Sequence, residues 1–77
     1  MFNVLDTVVL TRDVPESGLR RGDLGAIVEA YGPNAFDVEF VAASGRTQAL
    51  VTLTADDIRH VSDGDLVSVR PLERAAG

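Results

Sequence analysis

Short runs of alternating apolar and polar residues dominate this chain. In the clearest run, Phe36, Val38 and Phe40 alternate with Asp37 and Glu39. A period of two places the three apolar side chains on one face of a β-strand and the two carboxylates on the other. We therefore expect both phenylalanines to lie in the core.

Other runs rich in valine, leucine and threonine end at turn signals and predict further short strands. No window of about eleven residues keeps the apolar stripe of a helix. A single helical turn is expected at residues 54–57, with Thr54 as its N-cap. The predicted strands are residues 6–11, 25–31, 35–41, 47–53 and 58–61, and a sixth at residues 66–70 follows an Asp-Gly turn.

This order of elements predicts an all-β fold, a small SH3-like barrel of five to six short strands with one single-turn helix before the last strands. Residues 1–72 are expected to form one domain and residues 73–77 a flexible tail. The stretch RGDLGAIVE has Gly22-Asp23 as the turn into the second strand and Gly25 as a bulge or a close backbone approach. It lacks the G-x-G-x-x-G spacing of a dinucleotide site, so a structural corner is predicted.

The composition limits the classes of function that this protein can have. The chain has 77 residues, no cysteine and a formal net charge of −5. Disulfides and thiolate metal sites are thereby excluded, and the negative charge opposes binding to phosphate backbones. The N-terminal residues lack the features of a signal peptide, and no run is long and apolar enough for a membrane span, so a cytoplasmic protein is expected.

Candidate catalytic and metal-binding residues are sparse. His60 is the only histidine, and the serines have no local nucleophile motif. Asp63 and Asp65 flank Gly64, but the later ligands of a calcium loop are absent. We predict no catalytic residue, no cofactor and no metal site, and therefore a protein that is not an enzyme.

Exposed apolar positions are the better candidates for function. Ile27 and Leu50 share a strand face with polar neighbours if Val28 and Val51 point inward, which predicts an outer apolar patch. Two alternatives remain open: bent strands bury both faces, or the C-terminal segment covers the patch.

Residues 66–70 are expected to pair either with residues 58–61 or with a neighbouring subunit, burying Val67 and Val69, and a homo-oligomer is predicted. The candidate protein interface comprises Ile27, Tyr31, Leu50, Leu66, Val67 and Val69.

A family resemblance rests on several short motifs spread over about residues 4 to 61. They are LDTVVLT at residues 5–11, Asp13, Pro15, Gly18-Leu19, Gly22-Asp23, Gly25, Val28-Glu29, Tyr31, VEF at residues 38–40, GRT at residues 45–47, Leu53 and DDIR at residues 56–59. With these motifs the chain resembles a family of short bacterial proteins known as a domain of unknown function. The resemblance implies no assigned activity, and it implies an antitoxin or immunity-type role beside small toxin-like or nuclease-like proteins. Typical members stop near Val61, so residues 62–77 depart from the pattern.

Size, charge and resemblance together predict a non-catalytic protein–protein interaction module whose acidic surface suits a basic partner. One alternative is a nucleic-acid-binding barrel that uses Arg20, Arg21, Arg46 and Tyr31. Another alternative is a small accessory subunit of a larger enzyme.

Overall fold

The computed structural model describes residues 1–72, which form one five-stranded antiparallel sheet. The strand order is β4-β3-β2-β1-β5, so the first strand lies between the second and the last. Helical structure in the described residues is limited to two single 3-10 turns, and neither could cross a membrane. The strands are β1 (Thr7–Leu10), β2 (Leu24–Ala30), β3 (Ala35–Val41), β4 (Thr47–Thr54) and β5 (Ile58–His60), and the 3-10 turns are Pro15–Ser17 and Ala55–Asp57.

The predicted all-β fold is confirmed. β3 has the predicted bounds, and the ends of the other four strands differ from prediction by at most one residue. The helical turn begins after Thr54, whose N–H donates to Asp57 Oδ2 at 3.0 Å in a capping box. This arrangement satisfies a backbone donor that the short turn itself cannot pair.

One core fills the concave side of the sheet. Phe36, Val38 and Phe40 are buried, as the alternation in β3 predicts. Leu53 at the end of β4 and Ile58 at the start of β5 belong to the same buried cluster, so the sheet curls to bring its two edge strands around one core. In the described residues β4 and β5 do not pair, and hydrogen bonding leaves the sheet open between them.

The stretch RGDLGAIVE is a structural corner. Gly22 has a φ of +95°, and its N–H donates to the Leu10 carbonyl at 2.9 Å. At Gly25 an added Cβ would lie 2.6 Å from Val38 Cγ1 and 2.8 Å from Phe40 Cε1. The glycine therefore lets β2 approach the core side chains of β3. The register between β2 and β3 shifts between Ile27 and Glu29, and not at Gly25, the position at which the sequence predicts a bulge or a close approach.

The orientation predicted for Ile27 is wrong. Ile27 is fully buried and lies opposite Val38, whereas Val28 is 38% exposed. The physical reason is the alternation along β2: because Gly25 faces the core, Ile27 two residues later must face it as well. Ile27 is therefore part of the core and contributes nothing to an outer patch. Leu50 does point outward, with 61% of its surface exposed.

The sixth strand predicted at residues 66–70 does not form within the chain. A two-residue hairpin through Asp63-Gly64 would need positive φ values, and Gly64 does not have one. Asp65 instead closes a turn, its N–H donating to the Ser62 carbonyl at 3.0 Å. The chain then crosses back over the sheet as an irregular segment, residues 62–72, which we call the strap. Val67 and Val69 are exposed in this chain, so the predicted pairing with residues 58–61 is wrong, and pairing with a neighbouring subunit stays a prediction. The tail predicted at residues 73–77 lies outside the described residues.

Candidate functional site

The convex side of β2, β3 and β4 carries carboxylates. Glu29 and Asp37 are directly paired across β2 and β3, and Asp37 in turn lies opposite Thr52 on β4. Glu39 lies opposite Leu50. These three strands contain no arginine, lysine or histidine. We call the surface formed by Glu29, Asp37, Glu39, Leu50 and Thr52 the acidic face.

Hydroxyl groups, and not cations, hold two of the three carboxylates of this face, Asp37 and Glu39. Asp37 accepts hydrogen bonds from Thr52 Oγ1 at 2.5 Å and from the Tyr31 hydroxyl at 2.7 Å. Glu39 accepts one from Thr47 Oγ1 at 2.6 Å. The bonds from Thr52 and Tyr31 lower the pKa of Asp37 below its ordinary value, because they favour the ionised form. The acidic face therefore stays negatively charged at neutral pH.

Arginine side chains pair with carboxylates in other parts of the molecule. Arg12 Nε lies 2.8 Å from Asp57 Oδ1, which ties the segment after β1 to the second 3-10 turn. That hydrogen bond lowers the pKa of Asp57 although partial burial opposes the shift. Arg59 and Arg70 pair with Asp65 and Asp23, respectively. These ion pairs leave the charge of the acidic face uncompensated.

Two bidentate arginine–carboxylate contacts anchor the strap, one at Asp65 and one at Arg70. Arg59 Nη1 and Nη2 donate to the two oxygens of Asp65 at 2.8 and 3.0 Å. Arg70 Nε and Nη2 donate to those of Asp23 at 2.9 and 2.5 Å, and Nη2 also reaches the Gly18 carbonyl at 3.2 Å. Partial burial by itself would raise the pKa of Asp23, but the hydrogen bonds from Arg70 and from the Arg20 N–H lower it overall. Paired geometry of this kind fixes position more tightly than a single contact.

A groove of about 670 Å³ lies between the strap and the sheet. Val9 lines it and is only 5% exposed, although it is not part of the core cluster that contains its neighbours Val8 and Leu10. β1 is therefore buried on both sides, by the core on one and by the strap region on the other. The uninterrupted apolar run in β1 is the sequence signal for this double burial.

The predicted interface residues fall into three places. Ile27 is in the core, whereas Tyr31 and Leu50 lie on or beside the acidic face and do not line the groove. The remaining three predicted residues, Leu66, Val67 and Val69, belong to the strap and line the groove. Sequence reasoning missed Val9, Asp23 and Arg70. The contact between Asp23 and Arg70 joins positions 47 residues apart, which no local pattern reveals.

In the described residues, histidine and carboxylate side chains do not form a metal-binding cluster. His60 Nε2 lies 3.4 Å from Asp6 Oδ2, and its ring packs 4.4 Å from that of Phe2. Within residues 1–72, no three histidine, aspartate or glutamate side chains are grouped to hold a metal ion. Asp65, which flanks Gly64 without the later ligands of a calcium loop, is engaged with Arg59 and Ser62.

The family match follows the boundaries of the sheet. Searches of curated proteins and of solved structures gave no match. The sequence model of the family described as Domain of unknown function (DUF4926) matches residues 4–60. This range contains all five strands and ends before the strap. Since it covers most of the chain, the protein belongs to the DUF4926 family.

Proposed function

We propose that this domain is a non-catalytic protein–protein interaction module that binds a basic protein through the acidic face. The observation that carries the proposal is the direct pairing of Glu29 with Asp37 on strands that have no cation. Like charges opposite each other in a sheet are destabilising, and a basic partner would relieve that repulsion. An antitoxin or immunity-type role, which the family resemblance implies, is one form of such binding.

The composition of the face also supports a protein partner. Leu50 and Tyr31 are 61% and 57% exposed, and they supply apolar surface beside the carboxylates. Apolar contact area contributes affinity, and surrounding charges steer a partner of opposite sign and select its orientation. Hydrogen bonds from Thr52 and Tyr31 hold Asp37 in place before binding, which reduces the entropy lost on association.

The nucleic-acid alternative has weaker support. Arg20 and Arg21 precede β2 and Arg46 precedes β4, so antiparallel pairing places these residues at one end of the sheet. Tyr31 follows β2 at the other end, roughly 20 Å away at about 3.3 Å per residue. Its hydroxyl donates to Asp37, so the aromatic ring lies beside a carboxylate that repels phosphate. An accessory-subunit role remains compatible with the same acidic face, with the larger enzyme as partner.

Affinity capture with matched charge variants tests the proposal. The face variant combines Glu29→Gln, Asp37→Asn and Glu39→Gln, and the control combines Glu16→Gln, Asp56→Asn and Asp63→Asn, which removes the same charge elsewhere. From a lysate of the source organism, the wild type and the control should retain a stoichiometric basic protein, and the face variant should lose it. Affinity for the purified partner should fall steeply with salt.

Two results would refute this function. One is the recovery of no stoichiometric protein by the wild type. The other is equal loss of binding in the face and control variants, which would assign the effect to net charge and not to the acidic face. A parallel titration with single-stranded and duplex oligonucleotides at low salt tests the nucleic-acid alternative. Binding through phosphate contacts would be detected there and would weaken strongly as salt is added.

A further inference from the structure

The strap exposes apolar side chains to an unusual degree. Leu66 and Val69 are 95% and 96% exposed, and Val67 is 74% exposed. No strand pairing covers residues 66–69, yet the arginine contacts of Asp65 and Arg70 fix both ends of this segment. The result is a positioned apolar ridge on the surface. Contiguous exposed apolar surface of this kind typically marks an interaction site.

An apolar groove lies directly beside this ridge. Its volume is about 670 Å³, and its lining includes Val9 and Phe40 below and Leu24, Val41 and Val61 at the sides. The three side residues are each at least 38% exposed. A ridge and a groove on one surface are self-complementary, because a two-fold axis places the ridge of each copy over the groove of the other.

The charge around the groove also favours a second copy of this chain. Three arginines, Arg21, Arg59 and Arg70, line it together with two aspartates, Asp23 and Asp65. Their sum is +1, whereas the whole chain carries −5. Two acidic molecules can approach through this region with less repulsion than through the acidic face, and a basic partner has no electrostatic reason to bind here.

We propose that two copies of the protein associate about a two-fold axis through the strap, with Leu66 and Val69 of each copy entering the groove of the other. The contact uses side chains of the strap and requires no sixth strand. The groove shares no lining residue with the acidic face, so the two contacts use different side chains. The proposal does not depend on the proposed function.

Sedimentation equilibrium of the full chain over a concentration series tests this dimer. Leu66→Asp and Val69→Asp should each raise the dimer dissociation constant by about tenfold or more, because each places a charge in an apolar contact. The control Leu5→Asp changes a leucine that is 79% exposed and lies outside both the groove and the acidic face, and it should leave the constant unchanged. Melting of the monomeric forms should be the same for all variants, since the altered side chains are exposed.

A second measurement does not depend on those substitutions. The chain contains no cysteine, so Asp63→Cys gives a unique spin-label site near the N-terminal end of the strap. A single label per chain yields a dipolar distance only between copies, and a defined distance is expected. A chain that stays monomeric up to about 1 mM, with no dipolar signal, overturns the proposal. So does a dimer that Leu5→Asp weakens as much as Leu66→Asp does.

Discussion

Gly25 is the residue at which the path of β2 depends most directly on a missing side chain. Two core side chains, Val38 and Phe40, occupy the space that a Cβ at this position would need. The same close approach sets the alternation of β2, so Ile27 faces the core and Val28 faces solvent. One glycine therefore determines which β2 side chains are available for binding.

Gly25→Ala should lower the free energy of unfolding by about 1 to 3 kcal/mol, because a Cβ only 2.6 Å from Val38 Cγ1 forces the core apart. Urea denaturation measures the change. Gly64→Ala is the matched control, since Gly64 has no neighbouring atom within 4 Å and no positive φ. Its stability should stay within about 0.5 kcal/mol of the wild type. Equal effects at the two positions would contradict the close approach.

The strap is the element whose structure depends most on long-range contacts. It borders the groove that Val9 lines on the side of β1 facing away from the core, and Arg70 near its C-terminal end pairs with Asp23. These two side chains are 25% and 20% exposed, so solvent screens their attraction only in part. Loss of this pairing should free the strap without unfolding the sheet.

Arg70→Met keeps the aliphatic stem and removes the guanidinium. We expect heteronuclear NOE values of residues 66–69 to fall towards those of a mobile segment and stability to drop by about 1 kcal/mol. Arg12→Met, which breaks the pairing with Asp57 instead, is the control and should leave the strap amides unchanged. An ordered strap in Arg70→Met would mean that apolar contacts alone hold it.

At the scale of the whole molecule, charge is unevenly distributed. Asp23 and Asp65, beside or within the strap, have arginine partners, whereas Asp37 and Glu39 of the acidic face have hydroxyl donors. The chain as a whole remains at −5. This separation gives the protein one negative surface and one nearly neutral surface, which suit different partners.

Stability should be nearly constant from about pH 7 to pH 5 and should fall below about pH 4. The pKa values of Asp23, Asp37, Asp57 and Asp65 are all lowered in the folded state. A lowered folded pKa stabilises the protein above the unfolded pKa of about 3.9, and that contribution is lost as pH falls through the folded value. Urea unfolding at a series of pH values checks this sign. Stability that rises on acidification would mean that relief of repulsion on the acidic face dominates.

Local pattern alone determined the strands, the core face of β3 and the acidic residues opposite it. These features depend on side-chain alternation and on turn residues, which act over a few positions. The helical turn after Thr54 and the corner at Gly22 were also predictable from the sequence, because both depend on neighbouring residues. The family model matches residues 4–60, nearly the same span over which the sequence resembles a family of unknown function.

Only the tertiary structure decided which apolar residues remain on the surface. Ile27 became core because the packing of Val38 and Phe40 requires Gly25 to face inward. The predicted sixth strand became a strap because Arg70 pairs with Asp23, 47 residues away, and not with a neighbour in sequence. The physical reason is common to both cases: burial and ion pairing are settled by contacts between distant segments, which no periodicity along the chain records.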